Sequence, residues 1–352
     1  MAAYPGNAHS AEHSVGLEAQ GAIEDAATAI LDGLGFLGEE LLFTSGASPA
    51  LWLAVEDCVA RVPNRRARIA ASAVEHPALL AALDRAARAG RIEVTTIEVD
   101  GSGAPRLDSI ERALRAGVDL VCTMAANNEV GTISDLAAIR ALVSVSGARH
   151  LVDASQAAGK IDMKDAVEAD LVVISGAKLY GPRRTGALIG HLSHEARDLA
   201  HDLFGSPDTP AAIALSFATE LRVRERAIDE PLLARMRDRL QALLEDRVTG
   251  LRVNGTIFSR LSGSLHVSTP HLPGEAVVAQ LYGRVAVSTG AACQSGVAGA
   301  SHVLKAMGLP EWARDGAVRI GLGRFNSVDD VEEAGSMIAA AMATRRADRR
   351  CA

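Results

Sequence analysis

Two polar clusters near the middle of the sequence could do chemistry together. Asp153-Ala-Ser-Gln156 follows the short apolar run 148–153, and Ser175-Gly-Ala-Lys178 follows the run 170–175. Both runs are typical of short buried strands in a parallel sheet, and open α/β sheets bind ligands at the carboxyl ends of such strands. An acid at one strand end and a lysine just past the next suit pyridoxal phosphate (PLP). The acid would keep the pyridine nitrogen protonated, and the lysine would form a Schiff base.

Each of these residues also has a simpler interpretation when it is taken alone. An aspartate after a strand is usually a helix cap. A lysine before Tyr180-Gly-Pro182 is usually a solvated loop residue. The PLP interpretation therefore depends on residues elsewhere in the chain.

The elements that must position these clusters alternate between strand and helix patterns from residue 41 to residue 190. Such alternation predicts an α/β fold with a mostly parallel central sheet and helices on both faces. A smaller α+β region follows it. The predicted regions are an irregular N-terminal segment at 1–14, a large PLP-binding α/β domain at 15–230, and a small α+β domain at 231–352.

The pattern in the C-terminal part predicts longer helices and a few strands. A helix is expected over 210–247, with a break or kink at Pro231. Strands are expected at 263–268, 285–288 and 317–320. The segment that contains Cys293 lies among these elements, so the small domain would carry it.

The composition describes a large folded protein. The chain has 352 residues, of which 48% are hydrophobic, and this length suggests one large domain or two. Its net charge of −7 argues against direct nucleic-acid binding. No apolar run is long enough to span a bilayer, and the N-terminal residues lack the pattern of a signal peptide. We therefore expect a cytoplasmic protein that does not bind membranes.

The four cysteines are spaced widely along the chain, which fits neither a metal site nor a disulfide framework. Cys58 lies in an apolar helical pattern and Cys122 in an apolar strand, so both are expected to be buried packing residues. Cys351 lies on the terminal tail. Cys293 differs because its neighbours are small and polar, and it is the candidate nucleophile.

Several further clusters fall mostly at strand ends. The turn Ser45-Gly-Ala-Ser48 leads into a helix, whose first N–H groups could bind a phosphate, although a plain strand-to-helix connection has the same pattern. In chain order the clusters are Ser45–Ser48, Glu75-His76, Asn127–Gly131, Asp153-x-x-Gln156, Ser175-x-x-Lys178, Ser288–Cys293 and Val318–Arg324.

This series of motifs resembles the class V, fold-type I PLP enzymes, and within them the cysteine desulfurases of the NifS/IscS type. The resemblance covers roughly residues 6–335 and joins several independent motifs in one order. It implies that the protein removes sulfur from L-cysteine, releases L-alanine and forms a persulfide on Cys293. A sulfur-acceptor or scaffold protein would take up the sulfur for iron–sulfur cluster assembly or thiolation, and the enzyme would be a homodimer.

The resemblance also implies roles for individual residues around the cofactor. Lys178 would hold PLP covalently, Asp153 would pair with the pyridine nitrogen, Gln156 would bond the phenolic oxygen, and His76 would stack on the ring. The phosphate would be held by the N–H of Ala47 and by Ser48, Ser175 and Thr209.

The remaining roles concern the substrate. Asn128 would contact the cofactor or the substrate, and Arg319 would bind the substrate carboxylate through its planar guanidinium. Lys178 would take the α-proton, and His76 would help to move protons. The thiolate of Cys293 would attack the substrate sulfur, and the small residues of 294–301 resemble the longer cysteine loop of the NifS/IscS group.

The sequence departs from the family pattern in four places. It opens with Pro5-Gly-Asn-Ala-His-Ser where the family has a strand and a Tyr-x-Asp-x-x-Ala-Thr-Thr-Pro-like segment. Ala177 replaces the usual histidine before the lysine, and 204–210 is shorter than the family's segment ending in Arg-Ser-Gly-Thr. Pro49-Ala-Leu-Trp52 replaces Glu-Ser-Asn-Asn. Losing one phosphate contact would weaken cofactor binding by about 1.5–3 kcal/mol.

Two alternatives to the desulfurase stay open at this point. One is a PLP-dependent C–S or selenocysteine lyase. The other is a catalytically degenerate homologue that keeps the fold and acts as a binding subunit.

Overall fold

The computed structural model describes residues 6–10, 12–289 and 301–343, and the chain divides into two compact units. The units are made of residues 1–98, 105–126 and 134–226 (first unit) and of residues 99–104, 127–133 and 227–352 (second unit). The domain boundary expected between 230 and 231 stays a prediction. Two short segments from the N-terminal half belong to the second unit, and the sequence pattern had not indicated this.

The first unit alternates strands and helices as the sequence pattern predicts. Its strands are β1 (Leu41–Thr44), β2 (Ala67–Ser72), β3 (Ile92–Ile97), β4 (Leu120–Met124), β5 (Arg149–Asp153), β6 (Leu171–Ser175) and β7 (Gly186–Ile189). Its helices are α1 (Ser14–Leu34), α2 (Ala47–Ala60), α3 (Pro77–Arg88), α4 (Leu107–Arg115), α5 (Leu136–Val143) and α6 (His194–Phe204).

These strands form one sheet in the order β1-β7-β6-β5-β4-β2-β3. Pairing is parallel from β3 through β6, and β7 runs antiparallel to both β6 and β1. The predicted mostly parallel sheet is therefore confirmed. Because only β7 is reversed, the carboxyl ends of the other six strands lie at one edge.

Both faces of the sheet are covered. Helices α2, α3 and α6 pack on one face with strand residues such as Cys122 and Leu151. The residues that alternate with them, such as Val121 and Val152, are 0% exposed as well. A strand that is buried on both faces reads as a continuous apolar run, and this explains why the sequence showed β4 and β6 clearly.

The second unit contains a three-stranded antiparallel sheet in the order β10-β9-β8. Its strands are β8 (Arg252–Val253), β9 (Ser264–Ser268) and β10 (Ala317–Gly321), and its helices include α8 (Gly274–Gln280), α9 (His302–Ala306), α10 (Glu311–Asp315) and α11 (Val328–Ala343). Its core joins these strands to α11 and to the C-terminal half of the long helix α7 (Thr209–Arg247).

Two expectations for this part of the chain are wrong. No strand forms at 285–288; a single bridge pairs Ser288 with Arg319, and Val285 and Val287 are apolar because they pack on the core. A break at Pro231 does not occur either, since α7 runs from Thr209 to Arg247, and the alternative of a kink there stays a prediction. Burial of leucines such as Leu233 offsets the hydrogen bond that proline removes.

Candidate active site

The carboxyl ends of β5 and β6 bring two of the expected clusters together at one edge of the larger sheet. Asp153 is the last residue of β5 and Ser175 is the last residue of β6. The strands are parallel neighbours, with Asp153 opposite Val173 in the register. This is the edge at which open α/β sheets bind ligands.

Asp153 is a buried acid that the backbone holds in place. The residue is 5% exposed, and its Oδ1 accepts a hydrogen bond from the N–H of Ser155 at 2.9 Å. Its carbonyl oxygen accepts from the N–H of Ala125 at 2.9 Å. Among the described residues, none donates to Oδ2. This second oxygen of a largely buried acid is therefore available to a cationic N–H of a ligand.

The turn after Asp153 contains one expected residue and one that sequence reasoning missed. Lys160 Nζ donates to Gln156 Oε1 at 3.2 Å, so the Gln156 NH₂ group is the part left to donate to a ligand. Ser155 Oγ is buried and has no hydrogen-bond partner in the described part of the chain. A serine inside a turn usually makes a local hydrogen bond, so nothing in the sequence marked Ser155.

Lys178 stands on a single 3₁₀ turn, Gly176–Lys178, directly after β6. The side chain is exposed, and its ammonium group makes no hydrogen bond or ion pair with any residue that the structure describes. Gly176 makes this tight turn possible, because a β-carbon there would lie 2.1 Å from Thr185 Oγ1. The lysine is therefore held at its backbone and free at its amine.

The chain just beyond the lysine is fixed by an arginine that the sequence did not suggest. Tyr180 adopts φ = 60°, a left-handed conformation that is uncommon for a residue with a side chain. The guanidinium of Arg222, a residue that is 1% exposed, lies 5.5 Å from the centre of the Tyr180 ring. This cation–π contact stabilises the segment that follows Lys178.

The residues from Thr44 to Ala47, which we name the phosphate turn, lead from β1 into α2. The N-cap of α2 is Gly46, which offers no side-chain cap, so the first N–H groups of the helix remain available to an anion. Thr44 and Ser175 both pair with Gly186 in the sheet register. The turn therefore lies one strand away from Ser175, and the binding of a phosphate by these residues stays a prediction.

Gly186 permits the close approach of this turn. A β-carbon at Gly186 would lie 2.8 Å from the carbonyl carbon of Gly46 and 2.7 Å from the carbonyl oxygen of Ile174. Ala47 and Ser48 begin α2 directly after Gly46, and Ser48 is exposed. The sequence alone did not suggest a role for Gly186. The atoms that leave no room for a side chain there belong to Gly46 and Ile174, which are distant in the sequence.

His76 and Thr209 are placed at helix starts. His76 is the N-cap of α3, and its Nδ1 accepts a hydrogen bond from the N–H of Ala78 at 3.1 Å. Thr209 is the first residue of α7 and is 4% exposed. The contacts of His76 with the ring and of Thr209 with a phosphate stay predictions.

The second unit holds the two expected substrate residues. Arg319 lies on β10 and donates from Nε to Ser288 Oγ at 3.2 Å and from Nη1 to the carbonyl oxygen of Asn128 at 3.2 Å. Its Nη2 has no partner among the residues that the structure describes. Arg319 is thus oriented by its own unit and keeps a donor that can reach a carboxylate.

The residue after Asn128 also belongs to this cluster. Glu129 is buried, and Ser301 Oγ donates to its Oε2 at 2.5 Å. Burial raises the pKa of the Glu129 carboxyl, and the bond from Ser301 opposes the rise. Ser301 Oγ also caps α9 by accepting from the N–H of Leu304 at 3.2 Å. Glu129 therefore fixes where α9 begins.

A buried histidine lies beside Arg319. His266 is 0% exposed and is opposite Arg319 in the register of β9 and β10. Burial, together with the charge of Arg319, lowers the pKa of His266 to about 3. The imidazole is therefore neutral near pH 7, and sequence reasoning missed it because one histidine in an apolar strand is no functional signal.

Of the cysteines, the structure describes Cys58 and Cys122, and both are buried, as expected. Burial raises the pKa of Cys58 to about 12 and that of Cys122 well above its usual range. Neither is a nucleophile near neutral pH, because the reactive species is the thiolate. The candidate nucleophile Cys293 lies outside the described residues, as does Cys351.

Comparison with known proteins assigns the family. Residues 1–206 match the model of the family described as aminotransferase class-V. A cysteine desulfurase IscS from Anaeromyxobacter dehalogenans (strain 2CP-C) is 34% identical over 341 residues, which cover 94% of this chain and 83% of the relative. The chain belongs to the cysteine desulfurases of the class V aminotransferase family. The resemblance inferred from the motifs is confirmed.

Solved structures support the same assignment for this family member. A NifS-like protein superimposes with a TM-score of 0.84 at 27% identity, covering 95% of this chain and 91% of that one. SspA, solved in complex with cysteine, superimposes with a TM-score of 0.74 at 26% identity over 90% of this chain and 91% of that one. The expected fold-type I architecture is therefore confirmed.

The family implies PLP, and the residues of the first unit fit that group. Asp153, a residue that is 5% exposed, would offer its second carboxylate oxygen to the pyridine N–H, and Lys178 would offer a primary amine one turn beyond the next strand. The phosphate turn offers uncapped helix N–H groups next to Ser175.

Among the helices of the residues that the structure describes, none has the length and hydrophobicity of a membrane-spanning segment.

Proposed function

We propose that this protein is a PLP-dependent cysteine desulfurase that takes the sulfur of L-cysteine, releases L-alanine and forms a persulfide on Cys293. Membership of the family supports this activity. The observation that carries the proposal is the sheet edge at which Asp153 ends β5 and Lys178 follows β6 by one turn. The cysteine complex of the related SspA supports L-cysteine as the substrate.

In this proposal the first unit binds the cofactor. Asp153 Oδ2 would accept from the pyridine N–H, the Gln156 amide would donate to the phenolic oxygen, and His76 would stack on the ring. When bound, PLP would supply an electron sink for the pair left on the substrate when its α-proton departs. The negative charge of Asp153 keeps the pyridine nitrogen protonated and so maintains that capacity.

The phosphate is bound by backbone groups at the start of α2. The N–H groups of Ala47 and Ser48 and the hydroxyls of Ser48 and Ser175 are the proposed ligands. The α2 dipole favours an anion at this position. Thr209 is the further phosphate ligand in the proposal, and in a homodimer it would serve the partner subunit.

Lys178 and Arg319 act on the substrate itself. Arg319 Nη2 binds the carboxylate of L-cysteine, and Asn128 lies beside it because the Asn128 carbonyl oxygen orients the same guanidinium. The amine of Lys178, released when the substrate takes its place, accepts the α-proton. The exposure of Lys178 supports this role, since no described residue neutralises or immobilises its amine.

Sulfur transfer requires the thiolate of Cys293. The thiolate attacks the substrate sulfur, so that a sulfur–sulfur bond forms and the carbon–sulfur bond of the substrate breaks. The electron pair of the broken bond stays on the carbon, which takes up a proton and becomes the methyl group of alanine. The persulfide is then passed to a small sulfur-acceptor or scaffold protein.

A homodimer is part of the proposal. Two apolar residues of α7, Phe217 and Ile228, are 60% and 73% exposed. A second copy of the chain is the partner that the family suggests, and an interface with it would cover such side chains. Light scattering of the purified protein would measure the mass directly.

The function is tested with purified protein and three variants. The wild type should absorb at roughly 420 nm as expected of lysine-bound PLP, and it should release sulfide and alanine from L-cysteine when a reductant is present. Cys293→Ser should keep the absorbance and lose turnover, while the matched control Cys351→Ser should keep both. Lys178→Ala should lose the absorbance.

Other outcomes would change the assignment in defined ways. Full cysteine turnover in Cys293→Ser would make the protein a C–S lyase that needs no nucleophilic cysteine. A colourless wild-type protein that stays colourless after incubation with PLP would contradict the enzyme assignment and favour a binding subunit.

A further inference from the structure

Glu75 is a buried carboxyl group at the sheet edge that binds the cofactor in the proposed function. It lies just beyond β2 and is 0% exposed. Its Oε1 accepts a hydrogen bond from the N–H of Met124, the last residue of β4, at 2.8 Å. Since β2 and β4 are parallel neighbours, this bond joins the carboxyl ends of two strands. A carboxyl group is costly to bury, so its presence at this edge requires an explanation.

One consequence of this bond concerns His76. Glu75 and His76 are consecutive, and the backbone N–H of Glu75 donates to the carbonyl oxygen of Ser72 at 3.2 Å. The turn therefore begins at the last residue of β2 and ends at the N-cap of α3. Anchoring the Glu75 side chain to β4 fixes this turn, and with it the place of the imidazole.

A second consequence concerns Asp153. Met124 is opposite Asp153 in the register of β4 and β5, and the next residue, Ala125, donates its N–H to the Asp153 carbonyl oxygen at 2.9 Å. The end of β4 therefore lies between Glu75 and Asp153. The Glu75 carboxyl is joined to this end by its side chain, and Asp153 is joined to it by its backbone.

The charges of the two acids fit this arrangement. Burial raises the pKa of Glu75 well above its usual range, and the nearby Asp153 carboxylate raises it further. Both effects favour the neutral form of the Glu75 carboxyl. A neutral Glu75 does not compete with Asp153 for a cationic ligand.

We propose that Glu75 is a positioning residue that fixes His76 and Asp153 relative to each other by joining the ends of β2 and β4. This inference rests on the proposed function, because the two residues that it positions are proposed contacts of the cofactor ring. Glu75 itself acts through them and contacts neither the cofactor nor the substrate.

The test compares three substitutions at Glu75 with one at a matched buried acid. Glu75→Gln keeps an oxygen acceptor for Met124 and is neutral. Glu75→Leu keeps most of the bulk without an acceptor, and Glu75→Asp keeps the carboxyl but shortens its reach. Asp57→Asn is the control, because Asp57 is also 0% exposed in the first unit but pairs with Arg149, which begins β5 at the opposite edge.

Each protein is stripped of cofactor and titrated with PLP while the absorbance near 420 nm is followed, and its unfolding in denaturant is measured separately. Glu75→Gln should bind PLP within about 3-fold of the wild type, whereas Glu75→Leu and Glu75→Asp should bind at least about 10-fold more weakly. Their absorbance maximum should also shift, because the surroundings of the ring change. Asp57→Asn should unfold at lower denaturant with the wild-type spectrum and affinity.

Three outcomes of these titrations would overturn the role proposed for Glu75. If Glu75→Leu or Glu75→Asp binds PLP with wild-type affinity and spectrum, the inference is overturned. If Asp57→Asn weakens PLP binding as much as they do, the effect is general destabilisation and the inference is overturned as well. Should Glu75→Leu fail to fold, Glu75→Asp carries the comparison. A wild-type protein that takes up no PLP would overturn the proposed function instead, and the inference would fall with it.

Discussion

The two units hold their candidate functional residues in different ways. In the first unit, Asp153 and Ser175 end neighbouring strands and Lys178 follows by one turn, so the backbone path brings them to the same sheet edge. In the second unit, Arg319 is oriented by a serine hydroxyl and a backbone carbonyl from distant parts of the sequence, and Glu129 is bonded to Ser301.

This difference has a practical meaning for substitutions. A residue placed by a strand end can be replaced without moving its neighbours, so the loss should be specific to its chemistry. A residue placed by side-chain bonds also supports its partners, so the loss should include stability. The following predictions test that contrast in order of expected size.

The largest effect should come from Lys178→Ala. The variant loses the amine that bonds the cofactor and accepts the α-proton, so desulfurase activity should fall at least about 1,000-fold. Its unfolding midpoint without cofactor should match that of the wild type, because the exposed lysine makes no hydrogen bond or ion pair with the described residues. Lys164→Ala, at an exposed lysine of the same unit, should keep full activity.

Arg319→Ala should have the next largest effect. Removing a charged partner of the substrate carboxylate should raise KM for L-cysteine by about 10- to 100-fold. The 420 nm absorbance should persist, since Arg319 lies in the second unit. Steady-state kinetics would measure the change, with Arg252→Ala, at an exposed arginine on β8, as the control. An unchanged KM would contradict the assigned role of Arg319.

Gly186→Ala tests how closely the phosphate turn must approach β7. The added carbon would lie within 3 Å of Gly46 and of the Ile174 carbonyl oxygen, so the turn must move, at a cost of about 1–3 kcal/mol. PLP affinity should fall about 10-fold, as measured by titration. In Gly33→Ala, within α1, no atom lies near the new carbon, and stability should rise by up to about 1 kcal/mol. If Gly186→Ala bound PLP as tightly as Gly33→Ala, the phosphate turn would not need to approach β7 so closely, and the prediction would be wrong.

The smallest effect should be the pH dependence removed by Glu129→Gln. The pKa of Glu129 is raised in the folded protein, so its contribution to stability is present below the ordinary pKa of about 4.3 for a glutamate. That contribution is lost as the pH rises through the folded pKa.

The gain in unfolding free energy from Glu129→Gln should therefore grow from acidic to neutral pH. Denaturant unfolding at a series of pH values would measure it, with Glu245→Gln, at an exposed glutamate of α7, controlling for the lost surface charge. A gain that is constant across the pH range would contradict the assignment.

The contrast between the units also explains what the sequence could reveal. The runs that end at Asp153 and Ser175 are apolar on both faces, and their polar successors stand out against them, so the sheet edge and its cluster could be predicted. Family resemblance added Arg319. Glu75 could be named as part of a motif, but its bond to Met124 joins two strands that are about 50 residues apart, and no local pattern reports such a contact.

The two wrong expectations, a strand at 285–288 and a break at Pro231, also arose because contacts between distant parts of the sequence decided the structure. Val285 and Val287 have the alternation of a strand, but their side chains serve core packing and the backbone makes one bridge only. Pro231 usually interrupts a helix, yet the buried face of α7 continues on its C-terminal side. In both cases tertiary packing overrode a local preference, and the packing partner lies far away in the sequence.

The cap that His76 makes on α3 limits the acid–base chemistry open to its ring. Because Nδ1 accepts from the Ala78 N–H, the neutral ring carries its hydrogen on Nε2 and has no lone pair left to take up another proton. The imidazole can become a cation only by giving up the first bond of the helix. In the proposed function, His76 would therefore donate a hydrogen bond from Nε2 and stack on the ring, and the amine of Lys178 would act as the general base.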